Sequence, residues 1–219
     1  MTHNYGVYLV TDSGLSGDRS TPEIVESAIR GGVDIVQLRE KGTAARKRHE
    51  LGIELRELTR EAGVPLVVND RIDLASAIDA DGVHLGDDDL PVPAARDQLG
   101  DDAIVGRSVS TPKAARRAEK AGADYLGVGA VYGTTSKQTD PDQSEIGLDR
   151  IRAVREATDL PFVGIGGVTP ENAGKVVEAG ADGVAVISAI TGADDPETAT
   201  RRLGAAVRGA SADGRDRSH

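Results

Sequence analysis

One feature constrains this chain more than any other: short runs rich in Val, Ile and Leu alternate eight times with longer stretches of helical period. That rhythm marks repeated βα units around a parallel sheet. Strands are predicted at Gly6 to Val10, Asp34 to Leu38, Leu66 to Val68, Gly82 to Leu85, Ala103 to Gly106, Tyr125 to Val128, Phe162 to Ile165 and Gly183 to Ile187. With no linker or break in composition between the units, closure on themselves is favoured over an open sheet. The predicted fold is α/β, a single (β/α)8 TIM barrel spanning residues 1–209. An open doubly wound sheet is the other arrangement the pattern allows.

Helix boundaries are legible in the same way. Thr21-Pro22-Glu23, Thr111-Pro112-Lys113 and Thr169-Pro170-Glu171 each set a capping hydroxyl before a proline at the first helical position. Gly63, Gly122 and Gly180 follow helical stretches as stop signals. Ala121-Gly122-Ala123-Asp124 and Ala179-Gly180-Ala181-Asp182 look like one αβ connection used twice. The last helix is predicted from Pro196 to about Arg208, with a small, polar tail at 210–219 expected to be disordered.

Composition narrows the chemistry. No cysteine is present, so thiolate catalysis and thiolate metal sites are excluded and any metal would take oxygen or imidazole ligands. A net charge of −10 argues against nucleic acid or an anionic membrane as partner. One Phe, four Tyr and no Trp offer no base-stacking platform. No apolar run approaches the roughly 20 residues of a membrane helix, and the start lacks an export-signal pattern, so a cytoplasmic protein is expected. Only six of the 26 basic residues are lysines, and the acidic excess suggests a surface suited to high salt.

In this fold chemistry gathers where strands lead into helices. Gln37, Arg39 and Lys41 fall on one side if the second strand stays extended, bringing an amide and two cations to one anion. A solvated charge cluster is the plainer alternative. Asp70 and Asp89 end neighbouring units and together suit Mg²⁺, although helix caps or turns use the same residues. Asp87 and Asp88 read as turn residues. Thr134, Thr135, Ser136 and Lys137 suit phosphate oxygens on a glycine-bounded loop, or form an ordinary turn. Gly166-Gly167 and Ile187-Ser188 occupy the seventh and eighth units, the usual phosphate site of such barrels. The four histidines have no metal-ligand spacing, and His84, inside the fourth strand, reads as a structural histidine close to the site.

Taken in order, several blocks resemble the thiamine phosphate synthase family over roughly Tyr5 to Ile190. They are Gln37-Leu38-Arg39-Glu40-Lys41, Val68-Asn69-Asp70-Arg71, His84-Leu85-Gly86 with Asp89, Gly106-Arg107-Ser108, the Thr134 to Lys137 loop, Ile165-Gly166-Gly167 and Val186-Ile187-Ser188. The loop departs from the family's usual Phe-Pro-Thr-x-Thr-Lys, reading Tyr132-Gly133-Thr134-Thr135-Ser136-Lys137, with the hydroxyl kept at Ser136.

The resemblance implies a transferase joining an aminopyrimidine diphosphate to a thiazole phosphate with release of pyrophosphate. By similarity, Gln37, Leu38, Arg39, Glu40, Lys41, Asn69, Ser108 and Lys137 would bind the pyrimidine diphosphate, and Asp70 and Asp89 would hold Mg²⁺. Thr134, Thr135, Ser136, Gly167, Ile187 and Ser188 would bind the thiazole phosphate. Arg39, Lys41, Ser108 and Lys137 would carry the chemistry. The expected partners are small molecules, and a homo-oligomer is compatible with the sequence. A thiazole tautomerase and a non-catalytic phosphate-binding barrel remain alternatives.

Overall fold

Each aliphatic run forms a strand: β1 (Val7–Val10), β2 (Ile35–Leu38), β3 (Leu66–Asn69), β4 (Gly82–Leu85), β5 (Ile104–Val109), β6 (Tyr125–Gly129), β7 (Phe162–Ile165) and β8 (Gly183–Val186). The computed structural model describes residues 4–133 and 146–216, with side chains through residue 212. Every strand pairs in parallel with the next, and β8 returns to β1, so the sheet closes. Closure decides against the open arrangement.

Nine α-helices are seen among the described residues: α1 (Thr21–Arg30), α2 (Ala45–Ala62), α3 (Ile72–Ala77), α4 (Val92–Leu99), α5 (Pro112–Lys120), α6 (Gly147–Arg155), α7 (Ala173–Glu178), the short α8 (Ser188–Thr191) and α9 (Pro196–Asp216). None of them is long and apolar enough to cross a membrane.

Four boundaries differ from expectation for visible reasons. Strand β5 continues to Val109 because Arg107, Ser108 and Val109 keep their pairing with Leu126, Gly127 and Val128. Helix α5 starts as foreseen at Thr111, whose hydroxyl accepts from the Ala114 N–H, but α1 is capped one residue earlier, by Ser20 in a reciprocal box with Glu23. At the third Thr-Pro, residues Thr169 to Asn172 form a turn before α7, closed by Thr169 N–H donating to Asn172 Oδ1 at 2.8 Å. Helix α9 passes Arg208 and runs to Asp216, so residues 210–216 of the tail expected to be disordered are helical, while 217–219 lie outside the described residues. Its continuation is held by Val207 and Ala210, both buried, the latter beside Gly174 of α7.

Strand alternation creates two cores. Outward residues such as Val36, Leu38, Leu66, Val68, Val105 and Val184 pack under the helices. Inward residues, among them Tyr8, Ile35, Val67, Ile104, Tyr125 and Val163, fill the barrel.

A fourfold device stitches the bottom of the barrel. Asp34, Asp81, Asp124 and Asp182 each precede an even-numbered strand. Through a carboxylate oxygen they accept from the N–H of Val7, Leu66, Val105 and Phe162 respectively, at 2.7–2.9 Å. Each aspartate's own N–H donates to the carbonyl of that same residue. The sequence repeat at Asp124 and Asp182 is half of this pattern. Arg56, Arg96 and Arg155 lean on the last three carboxylates and tie the preceding helices to the staple.

Candidate active site

The mouth at the C-terminal ends of the strands divides at the loop after β4. On one side lies a cleft of about 280 Å³ lined by Ser108, Gly129, Ala130, Ile165, Gly166, Gly167, Ile187 and Ser188, with Asp87 at its edge. Four predicted site residues, Ser108, Gly167, Ile187 and Ser188, therefore meet in one cavity. The glycine pair is required by space. Gly167 sits at φ 62 and an added Cβ would lie 2.7 Å from the Gly133 carbonyl; Gly166 sits at φ 101, with Ala130 Cβ at 2.6 Å from such an atom. Helix α8 begins at Ser188, which lines this wall, and its Ile190 and Thr191 amides donate to the Ile187 carbonyl.

Thr134, Thr135, Ser136 and Lys137 lie outside the described residues. Their chain leaves the rim at Gly133 and returns at Ile146. That stem is pinned by Ile146 N–H to the Ala130 carbonyl at 2.8 Å and Gly147 N–H to the Val131 carbonyl at 3.0 Å. Tyr132 N–H in turn donates to the Gly166 carbonyl. The stem therefore borders the cleft.

The β2 motif is split rather than aligned. The strand ends at Leu38, and Glu40 takes a positive φ of 32, so the extended run needed to face Gln37, Arg39 and Lys41 one way is broken. Gln37 is buried inside the barrel and its amide donates to Tyr8. The Arg39 guanidinium pairs with Asp12 after β1 at 2.6 Å. Lys41 reaches the other way, to Asp70 after β3, at 3.2 Å. Leu38 points into the outer core, and the buried Glu40 carboxylate accepts from Ser13 N–H and the Thr21 hydroxyl. Both side chains are engaged by contacts within the protein, and those of Glu40 hold the loop.

Asn69 and Asp70 end β3 in a tight turn, with Arg71 N–H donating to the Asn69 carbonyl at 2.7 Å around Asp70 at φ 64. Asn69 stays buried on the inner wall beside His84. Asp70 and Asp89 line one depression, and the Asp70 carboxyl is near enough to act on that of Asp89. Burial, opposed by the Gly86 N–H bond and reinforced by neighbouring Asp70, holds the Asp89 carboxyl above its usual range. Two neighbouring hard oxygen donors, with a lysine alongside, fit the one-or-two-carboxylate set that Mg²⁺ uses. No group of three His, Cys, Asp or Glu suited to a metal occurs among the described residues. The acid pair borders a shallow depression with Ile72, Leu90 and Pro91, separate from the cleft. The loop carrying Asp87, Asp88 and Asp89 is the divider: Asp87 faces the cleft, Asp88 and Asp89 the depression.

Sequence reasoning missed the polar residues that brace these groups. Thr11 and Asp12, the residues after β1, hold Arg39 through its N–H and its guanidinium. Their signal was position alone, directly after a predicted strand. Tyr8 and Tyr125, two of only four tyrosines, stand at inward positions of otherwise aliphatic strands, and their hydroxyls bond to each other at 2.7 Å. His84 is buried, as expected of a structural histidine, with its ring nitrogens bonded to the Tyr125 and Ser108 hydroxyls.

The pattern of the family described as thiamine monophosphate synthase matches residues 7–190, from the first strand to the short helix at the cleft. This chain belongs to the thiamine monophosphate synthase family. Within it, the chain is 78% identical over 209 residues to the thiamine-phosphate synthase of Natronomonas pharaonis, covering 95% of this chain and 98% of that protein. It is 64% identical over 205 residues to the thiamine-phosphate synthase of Haloarcula marismortui, covering 93% and 97% of the two chains. A solved structure of the thiamine phosphate pyrophosphorylase of Pyrococcus furiosus superimposes with a TM-score of 0.86 at 40% identity, covering 95% of this chain and 98% of that one. The family assignment thus rests on sequence and fold together.

Proposed function

We propose that this member of the thiamine monophosphate synthase family is a working transferase that joins an aminopyrimidine methyl diphosphate to a thiazole phosphate, forming thiamine phosphate and releasing pyrophosphate. The observation that carries the reading is the near-complete likeness to thiamine-phosphate synthases, 78% identity over 95% of the chain. The division of the mouth supports it, because the reaction needs two anion sites side by side.

In this reading the thiazole phosphate lies in the cleft, against the amides near Gly167 and Ser188. The diphosphate lies toward the acid pair. Asp70 and Asp89 would hold Mg²⁺, which supplies positive charge to the departing pyrophosphate. Lys41 beside the acids and Arg39 fixed by Asp12 are cationic donors set in place before reaction, and Lys137 would add a third. The bond from the exocyclic CH₂ to the diphosphate oxygen breaks, its electrons leave with pyrophosphate, and the thiazole nitrogen lone pair forms the new C–N bond. No covalent enzyme intermediate is needed. The chain's task is to hold the two reactants in line and shield the pyrimidine cation from water.

Incubation with both substrates and Mg²⁺ tests the assignment. Thiamine phosphate and pyrophosphate should appear in equal amounts. Tautomerisation of the thiazole alone, or ligand binding with no product, would overturn it.

A further inference from the structure

A continuous line of polar groups crosses the otherwise aliphatic interior of the barrel. Gln37 Nε2 lies 2.7 Å from Tyr8 OH, Tyr8 OH 2.7 Å from Tyr125 OH, Tyr125 OH 2.9 Å from His84 Nδ1, and His84 Nε2 3.0 Å from Ser108 Oγ. Four of the five residues are buried, and Ser108 lines the cleft. The backbone is shaped for this line. A Cβ on Gly106 would stand 2.2 Å from Tyr125 Cζ and 2.5 Å from His84 Nδ1, and one on Gly127 would stand 3.0 Å from His84 Cε1.

Such a line has a direction, set by any member that can only donate. The Gln37 NH₂ is such a member, and it donates to Tyr8. Tyr8, having accepted there, gives its single proton to Tyr125, and Tyr125 gives its own to His84 Nδ1. That nitrogen must then be bare, so the ring proton sits on Nε2 and is donated to Ser108 Oγ. The Ser108 proton remains for the cleft. At the far end Gln37 Oε1, buried and without a hydrogen-bond partner among the described residues, remains as an acceptor. Burial raises the pKa of both phenols, so the two hydroxyls keep their protons.

We propose that Tyr8, Tyr125 and His84 are positioning residues that impose one hydrogen-bond direction across the barrel, presenting Ser108 to the ligand as a donor and Gln37 as an acceptor. The Ser108 end is therefore complementary to an anionic oxygen of a ligand in the cleft, and the Gln37 end leaves a buried acceptor. The identity of that ligand rests on the proposed function; the direction does not. The opposite direction, with the Gln37 amide turned, would protonate Nδ1 and make Ser108 a donor to His84, the arrangement of an activated serine nucleophile.

Nitrogen-15 NMR of the histidine-labelled full-length protein at neutral pH reads the direction, with the His84→Asn spectrum assigning the resonances. The wild type should show His84 as the Nε2–H tautomer. Tyr125→Phe, which removes the donor to Nδ1, should let the Nδ1–H form appear. It should also lower kcat by about tenfold with little change in KM, less than the ~10²–10³ expected when a charge-stabilising donor is removed outright. A wild-type ring protonated on Nδ1 or on both nitrogens overturns the proposal, as does a Tyr125→Phe protein with an unchanged tautomer or unchanged kcat. Should Tyr125→Phe fail to fold, the wild-type tautomer alone decides. Because the tautomer is read without substrate, absence of thiamine phosphate formation would defeat the proposed function and leave this test standing.

Discussion

Asp89 shows how one residue's environment reports its task. Its carboxyl is raised above the ordinary range by burial and by Asp70. Between the ordinary carboxylate pKa and the raised value, the folded, metal-free protein therefore keeps a proton there that the unfolded chain has lost. Stability from this group is present below the ordinary carboxylate pKa and falls as pH rises through the window up to the raised value. Asp89→Asn keeps an acceptor for the Gly86 N–H and removes the like-charge contact. We expect the metal-free variant to melt higher than wild type at neutral pH, with the gap closing in acid, while its Mg²⁺ requirement rises at least about tenfold. Melting curves across pH and Mg²⁺-dependence of turnover check both halves, and an unchanged gap with pH would remove the charge argument. Gly106 makes a second residue-scale case. Gly106→Ala forces a methyl against Tyr125 and His84, and should cost about 1–3 kcal/mol in denaturant unfolding. The sequence showed Gly106 only as the lead-in to Arg107-Ser108; that it makes room for side chains on β4 and β6 required the closed barrel.

Elements were legible where chemistry is local. All eight strands follow from aliphatic runs, and the Thr111 cap from the demand of a helix start for an oxygen acceptor. Ends were less legible because they depend on partners. Strand β5 is longer since β6 continues to pair with it, and α9 is longer since Ala210 finds a place beside α7. The bottom staple is the clearest case of a repeat half seen: Ala-Gly-Ala-Asp marks Asp124 and Asp182, while Asp34 and Asp81 perform the same task in different surroundings. Asp124→Ala strips the acceptor from Val105 N–H and the partner from Arg96. A loss of about 1.5–3 kcal/mol in unfolding free energy is expected, the range for a hydrogen bond to a charged group. Catalytic parameters should hold, since the staple lies at the opposite end of the barrel. A stability change near zero would mean that the remaining backbone pairing suffices.

At the scale of the whole molecule, a chain of net charge −10 is proposed to bind two anions, so its mouth must reverse the sign of its own field. Many arginines lie outside, in exposed pairs such as Arg60–Asp79 and Arg202–Glu171, which contribute little individually. We expect net repulsion among the acids to outweigh them, so that the melting temperature rises from low salt to molar KCl as screening takes hold. A flat or falling curve would show that the pairs offset the excess. The location of the site was legible because barrel rims host chemistry, and Ser108, Gly167, Ile187 and Ser188 do share a cleft. The orientation of Arg39 and Lys41 was not, because the turn at Glu40 depends on Ser13 and Thr21 from other elements. The central claim is that one mouth holds two anions on separate ground, pyrophosphate by the acid pair and thiazole phosphate by the glycine-backed cleft. Calorimetric titration of each anion into wild-type and Asp89→Asn protein, with and without Mg²⁺, tests it most directly. Pyrophosphate binding should require Mg²⁺ and weaken in the variant while thiazole phosphate binding stays unchanged; equal weakening of both, or Mg²⁺-independent pyrophosphate binding, would contradict it.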